Sequence, residues 1–224
     1  MDAIRHIVWD WNGTLLDDIG ACVETINRML HRRALPLLDA VRYRDVFGFP
    51  VRDCYIALGF DLDREDWDAV AREFHADYAD ASRTAGLRPG TVAMLDRFRR
   101  HGVPMSILSA SPSDLLEAEL LRFRMRDMFR HVYGLGDLYA SSKMALGRRL
   151  VENLGMPVGN VLLVGDTIHD HEVARELGWQ CVLVGGGHQS VEKLKRLGRR
   201  VFRDTVALTE WLEPAVCAPA VNRG

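Results

Sequence analysis

Cysteine is scarce in this chain, and long apolar runs are absent. The 224 residues hold four cysteines, Cys22, Cys54, Cys181 and Cys217, and no two form a CxxC pair. This argues against a disulfide scaffold or a cysteine zinc site and fits reduced thiols in a cytoplasm. No apolar stretch approaches the roughly 20 residues that span a bilayer. Met1-Asp2-Ala3-Ile4-Arg5-His6 lacks the charged start and apolar run of a secretory signal. Neither sign of charge dominates: 29 Lys and Arg face 31 Asp and Glu, a formal net charge of -2. The surface as a whole therefore carries no electrostatic footprint for nucleic acid or membrane. A small anion can still bind, because one local site decides that. The composition is otherwise that of a globular protein able to bury a sizeable core in one or two domains.

The apolar pattern changes character along the chain. Ile4 to Trp9 reads as a short buried strand running into Asp10. Ile19, Cys22, Val23, Ile26, Met29 and Leu30 then share one helical face. A shorter helix is expected after Pro50. Trp67, Val70, Ala71, Phe74, Tyr78 and Ala81 mark another at helical spacing, and such stripes are core packing. Residues 17–86 are thus expected to be all-helical. After Arg88-Pro89-Gly90, strands are expected at 103–108, 131–133, 161–164, 181–184 and 200–202. Helices are expected at 92–100, 115–121, 144–154, 171–177 and 191–197. Strands alternating with helices imply parallel βαβ units. The predicted fold is α/β: a Rossmann-like parallel-sheet core of residues 1–16 and 87–213, an inserted all-helical cap at 17–86, and a mobile tail at 214–224.

In such sheets ligands sit beyond the carboxyl ends of the strands. That selects Asp10 to Thr14, Ser109 to Ser111, the helix start at Lys143, and Gly165 to Asp170. Asp10 is a candidate nucleophile; by itself, Asp followed by Asn-Gly is more often a turn. Asp166 and Asp170 either start a helix favourably or join Asp10 in a like-charge cluster that calls for a cation. Magnesium suits such oxygen ligands. Ser109 and the amide of Ala110 are placed to hold a phosphoryl oxygen, and Lys143 offers it a positive charge.

In this order, the groups resemble the haloacid dehalogenase superfamily, in its phosphatase-type branch with a helical cap (the phosphoglycolate phosphatase and β-phosphoglucomutase type). Asp10-Trp11-Asn12-Gly13-Thr14-Leu15 matches the first motif, DxDGT, except at Asn12. Ser109 matches the second, Lys143 the third, and Gly165-Asp166 with Asp170 the fourth. The resemblance implies a magnesium-dependent phosphatase acting on a small phosphorylated metabolite. Asp10 would attack phosphorus. Asp10, the backbone carbonyl of Asn12, Asp166 and, directly or indirectly, Asp170 would hold the metal. Ser109, Ala110, Lys143 and the Trp11 amide would bind phosphoryl oxygens.

Asn12 stands where the family usually has a second Asp that moves protons, which an amide cannot do. Slow turnover, transfer to an acceptor other than water, or binding without turnover follow as alternatives. Asp17, Asp18 or His169 could take over the proton work. The plainer expectation makes Asp17 and Asp18 caps of the first insert helix, and His169 and His188 exposed loop residues. Arg52 is a candidate for recognising the rest of the substrate.

Overall fold

The computed structural model describes residues 3–136 and 143–216. β1 (His6–Trp9) is buried at every position. A parallel strand covered by helices on both faces has no solvent side, so it reads as a continuous apolar run. Its one polar member, His6, pairs with the Ser106 hydroxyl at 2.9 Å. Ile7 and Trp9 pack with Met94, Phe98 and Leu116, whereas Val8 packs on the other face with Leu150, Leu163 and Val173.

Two short strands follow the first motif's loop and close the insert. β2 (Leu16–Asp17) pairs antiparallel with β3 (Gly86–Leu87). The 17–86 segment is therefore helical between two strand ends rather than throughout. Between them lie α1 (Ile19–Arg32), α2 (Ala40–Val46), α3 (Val51–Ala57) and α4 (Trp67–Ala81). These helices share an apolar cluster around Ile26, Met29, Leu30, Tyr55 and Val70. The sequence pattern did not disclose α2, because its seven residues bury only Tyr43 and so form no stripe. It is set instead by Asp39, whose side chain accepts a bond from the Arg42 amide at 2.8 Å.

Beyond β3 the chain alternates: α5 (Thr91–Arg100), β4 (Met105–Pro112), α6 (Ser113–Arg122), β5 (His131–Leu135), α7 (Lys143–Leu154), β6 (Val161–Gly165), α8 (Ile168–Leu177), β7 (Gln180–Val184), α9 (Val191–Lys195), β8 (Val201–Phe202) and α10 (Thr205–Val216). The main sheet has the order β5-β4-β1-β6-β7-β8, and every pairing in it is parallel. The chain builds outward through β4 and β5, then crosses back to β6. The switch in strand order therefore falls at β1, and Asp10 leaves its carboxyl end. Helix α10 buries Leu208 and Leu212 and runs through Pro214 to Val216, so the expected tail at 214–224 begins as helix. Residues 217–224, with Cys217, lie outside the described residues, as do Met1 and Asp2. No helix among the described residues is long and apolar enough to cross a membrane.

Candidate active site

Four chain segments converge at the switch point. Asp10 follows β1 and is tied to the next strand by its amide, which donates to the Val164 carbonyl at 2.9 Å. Ser109 lies in β4, Lys143 opens α7, and Asp166 follows β6. The ligand atoms of Asp10, Asp166 and Asp170 all lie within 4.8 Å of one another. Lys143 Nζ donates to Asp10 Oδ1 at 2.7 Å and to Asp170 Oδ1 at 2.5 Å. None of the four groups is more than 6% exposed, so three carboxylates face one ammonium almost without water.

Burial pushes the Asp10 carboxyl up to about 8, with Lys143 opposing the rise and Asp170 and Asp166 adding to it. Burial also raises Asp166, against the pull of His188. Burial works against the charge on Asp170 too, but Lys143 and Thr167 outweigh it and hold that carboxyl below its ordinary range. An all-oxygen cluster in which burial opposes the charge on Asp10 and Asp166 fits a hard divalent cation.

The cluster's members are not equivalent. Asp170 Oδ2 accepts from the Thr167 amide and hydroxyl and from the Asp166 amide, while its other oxygen holds Lys143. Protein donors thus reach both of its oxygens, and with Thr167 it completes the capping box of α8. Asp166 accepts from the Thr14 hydroxyl at 2.9 Å and the His188 amide at 2.6 Å. This packing demands glycine twice. Gly13 has a φ of +71° and, like Gly187, leaves no room for a Cβ beside the Asp166 carboxylate. Arg88 holds the two loops together, donating to the Gly13 and Gly185 carbonyls at 2.6 Å each.

Several expected positions come out differently. Asp18 does stand at the N-cap of α1, but its side chain makes no capping bond. It turns into the site and accepts from the Gly13 amide, Asn12 Nδ2 and the Tyr78 hydroxyl. Asp17 is exposed within β2. His188 is buried, not on a surface loop. Its Nε2 lies 3.4 Å from Asp18 Oδ1, and its Nδ1 pairs with the Tyr43 hydroxyl at 2.8 Å. Burial opposes charge on this pair, yet mutual attraction wins: His188 rises to about 9 and Asp18 falls to about 2. Gly185-Gly186-Gly187 was the available signal, since a glycine run permits the close approach that buries the next residue. His169 is half-buried and stacks on Phe49 with ring centroids 4.4 Å apart.

Asn12 is committed on both sides of its amide. Nδ2 donates to Asp18 Oδ2 at 2.8 Å and to Tyr78 at 3.0 Å, and Oδ1 accepts from Ser111. The Trp11 ring is buried in the core, its Nε1 donating to Glu119 at 2.6 Å, which leaves only its backbone for a ligand. Ser109 Oγ accepts from the Ser111 amide at 3.1 Å, so its own proton is free to be donated elsewhere. Ala110 and Ser109 line the cavity beside Asp10. Arg52 is exposed on α3 and is not among the residues lining that cavity.

Residues 7–184 match the haloacid dehalogenase-like hydrolase family. The chain is 28% identical to a phosphoglycolate phosphatase of Rhodospirillum rubrum over 93% of its length and 90% of that protein's. It is 26% identical to a 5'-nucleotidase of Pseudomonas aeruginosa, covering 86% of this chain and 89% of the relative. Its fold superposes on a haloacid dehalogenase-like hydrolase from Streptococcus pneumoniae with a TM-score of 0.81 at 19% identity, over 95% of this chain and all of that one.

Proposed function

The chain belongs to the haloacid dehalogenase-like hydrolase family, and we propose that it is a magnesium-dependent phosphatase that hydrolyses a small phosphate monoester through an aspartyl phosphate at Asp10. The observation that carries this reading is the buried Asp10 carboxylate, oriented by Lys143 and flanked by Asp166 and Asp170. In this reading residues 17–86 form a cap over a core of residues 1–16 and 87–213.

Asp10 attacks phosphorus, the ester P–O bond breaks, and the leaving oxygen takes a proton from solvent. Water then attacks the phosphoaspartate, and phosphate departs as the carboxylate re-forms. Lys143, the Ser109 hydroxyl and the amides of Ala110 and Trp11 bind the phosphoryl oxygens. Asp10, Asp166 and the Asn12 carbonyl would hold magnesium, with Asp170 acting through Lys143 and the α8 cap. The bound ion supplies charge neutralisation for the carboxylates and the phosphoryl group.

Magnesium is expected to raise the melting temperature, and to raise it more at pH 8 than at pH 6. A carboxyl held up to about 8 when folded, against 3.8 ordinarily, favours the folded state only while protonated, so folding stability is lost as pH rises between those values. The ion competes with that proton and binds better once it is gone. At about 100 times its dissociation constant it adds roughly 2.7 kcal/mol. Equal shifts at both pH values in thermal melts with and without EDTA would remove the metal assignment.

The second half-reaction is expected to be slow, because Asn12 cannot exchange protons and its amide is already held. Acid-quenched enzyme should carry phosphate on Asp10. Asn12→Asp alone puts a new carboxylate against Asp18, where a 2.8 Å hydrogen bond now stands, and is expected to destabilise by about 1–3 kcal/mol. Asn12→Asp with Asp18→Asn removes that clash, though it also removes the charge that faces His188 at 3.4 Å, and should speed dephosphorylation by about 10²–10⁴-fold. An unchanged single-turnover rate in the double variant would show that proton transfer is not limiting.

A further inference from the structure

We propose that the alcohol part of the substrate is an uncharged ring or a branched apolar group, not a second acid. This rests on the phosphatase reading and names the class of ester that site takes.

One cavity of about 160 Å³ starts at Asp10, Ser109 and Lys143 and runs under the helical insert. Phe49, Tyr55, Leu58, Trp67 and Phe74 of the insert form an apolar part of its wall. Phe49, Trp67 and Phe74 are only half-buried, so they still have apolar surface for a ligand to cover. Tyr55 meets Trp67 edge-on at 5.3 Å and Phe74 stacks on Tyr78 at 5.6 Å, which fixes the wall as a rigid aromatic surface. The volume is on the scale of the ~150 Å³ apolar cavity that accepts benzene in another protein. A planar ring against such a wall gains both burial and offset or edge-on contacts.

The charges lining the cavity are wrong for a carboxylate. Among the described residues no arginine lines it, and Lys143 is its one lysine, already bound to Asp10 and Asp170. His188 is matched by Asp18 at 3.4 Å, so the two line the cavity as a charge-balanced pair, with His75 and His169 as its other imidazoles. Four of the insert's arginines are engaged elsewhere: Arg28, Arg32 and Arg33 pair with Glu24, Asp77 and Glu73, and Arg44 donates to the Gly187 carbonyl. Among the described residues a second acid would therefore meet no arginine and no uncommitted lysine there, and burying a poorly paired carboxylate carries a heavy penalty. Phosphoglycolate carries such an acid, so this cavity separates the chain from what the names of its phosphoglycolate phosphatase relatives suggest.

The test compares benzyl phosphate with 2-phosphoglycolate on the full chain with magnesium. Both are primary alkyl esters, which removes the advantage an aryl leaving group would bring. Benzyl phosphate is expected to show a kcat/KM about 10–100-fold higher. Phe74→Ala and the milder Phe74→Leu should lower the ratio of benzyl to methyl phosphate kcat/KM, by about 10-fold for alanine. Calorimetry with two non-hydrolysable counterparts, 2-phenylethylphosphonate and 3-phosphonopropionate, should show the same preference. Equal or better use of phosphoglycolate overturns the inference and leaves the phosphatase reading intact. Equal binding of the two phosphonates does the same. If no ester is turned over while 2-phenylethylphosphonate still binds preferentially, the ligand class stands and the phosphatase reading falls.

Discussion

Asp10→Asn is expected to lower phosphate-ester turnover by about 10⁴-fold or more, to abolish the trapped phosphoenzyme, and to leave the protein folded. The first two effects follow from losing the attacking oxygen, since removing a nucleophile removes the covalent route altogether. The third follows from the site's electrostatics. The Asp10 carboxyl is forced up to about 8 by burial and by its acidic neighbours, so its charge is a burden on the metal-free fold. Asparagine keeps the shape and the acceptor facing Lys143 but carries no charge. The variant's melting temperature without metal should match or exceed that of the parent. This separates catalysis from stability in one substitution. Activity within about tenfold of the parent, measured by phosphate release, would refute Asp10 as nucleophile.

Lys143→Met should damage both properties. Its ammonium is the one cation bonded to Asp10 and Asp170, at 2.7 and 2.5 Å. Breaking a buried ion pair by removing one partner costs about 3–5 kcal/mol, because the other charge stays buried and unpaired. Burial by itself would depress the lysine's pKa, but the two carboxylates raise it above its ordinary 10.5. A raised pKa means the lysine's contribution is fully present at neutral pH and fades only above about 10.5. In the variant the abandoned carboxylates should take up protons, so the stability gap to the parent should narrow as pH falls from 8 to 5. Magnesium should recover part of the gap. Turnover should fall by about 10²–10³-fold through loss of charge at the phosphoryl oxygens. Chemical denaturation at the two pH values checks the first claim: a gap that is constant with pH would mean that Lys143 acts through packing alone.

Both variants probe a constellation that was visible in the sequence, and the reason is geometric. In a parallel sheet the strand ends collect on one edge, and a buried strand announces itself as an apolar run. Asp10, Ser109, Lys143 and Asp166 each stand where such a run ends or a helix begins, so their meeting follows from topology. The long stripes of α1 and α4 were legible for a similar reason, because each buries a full face. Helix α2 was not, since it buries one residue, and neither was the β2–β3 pair, which has two residues on each strand.

The sequence by itself therefore determined the α/β core, the helical insert and the convergence of four strand-end and helix-start positions, all of which depend on local pattern and sheet topology. The tertiary structure decided what surrounds them. Tyr78 reaches Asp18 across 60 residues and Tyr43 reaches His188 across 145. Asp18 looked like a helix cap, and His188 like a loop residue. Those readings failed because a side chain's direction depends on which neighbours from distant segments can satisfy it once water is excluded. The same exclusion turned Asn12 from a missing acid into a donor held by Asp18 and Tyr78, and lined the cavity with aromatic rings from the insert.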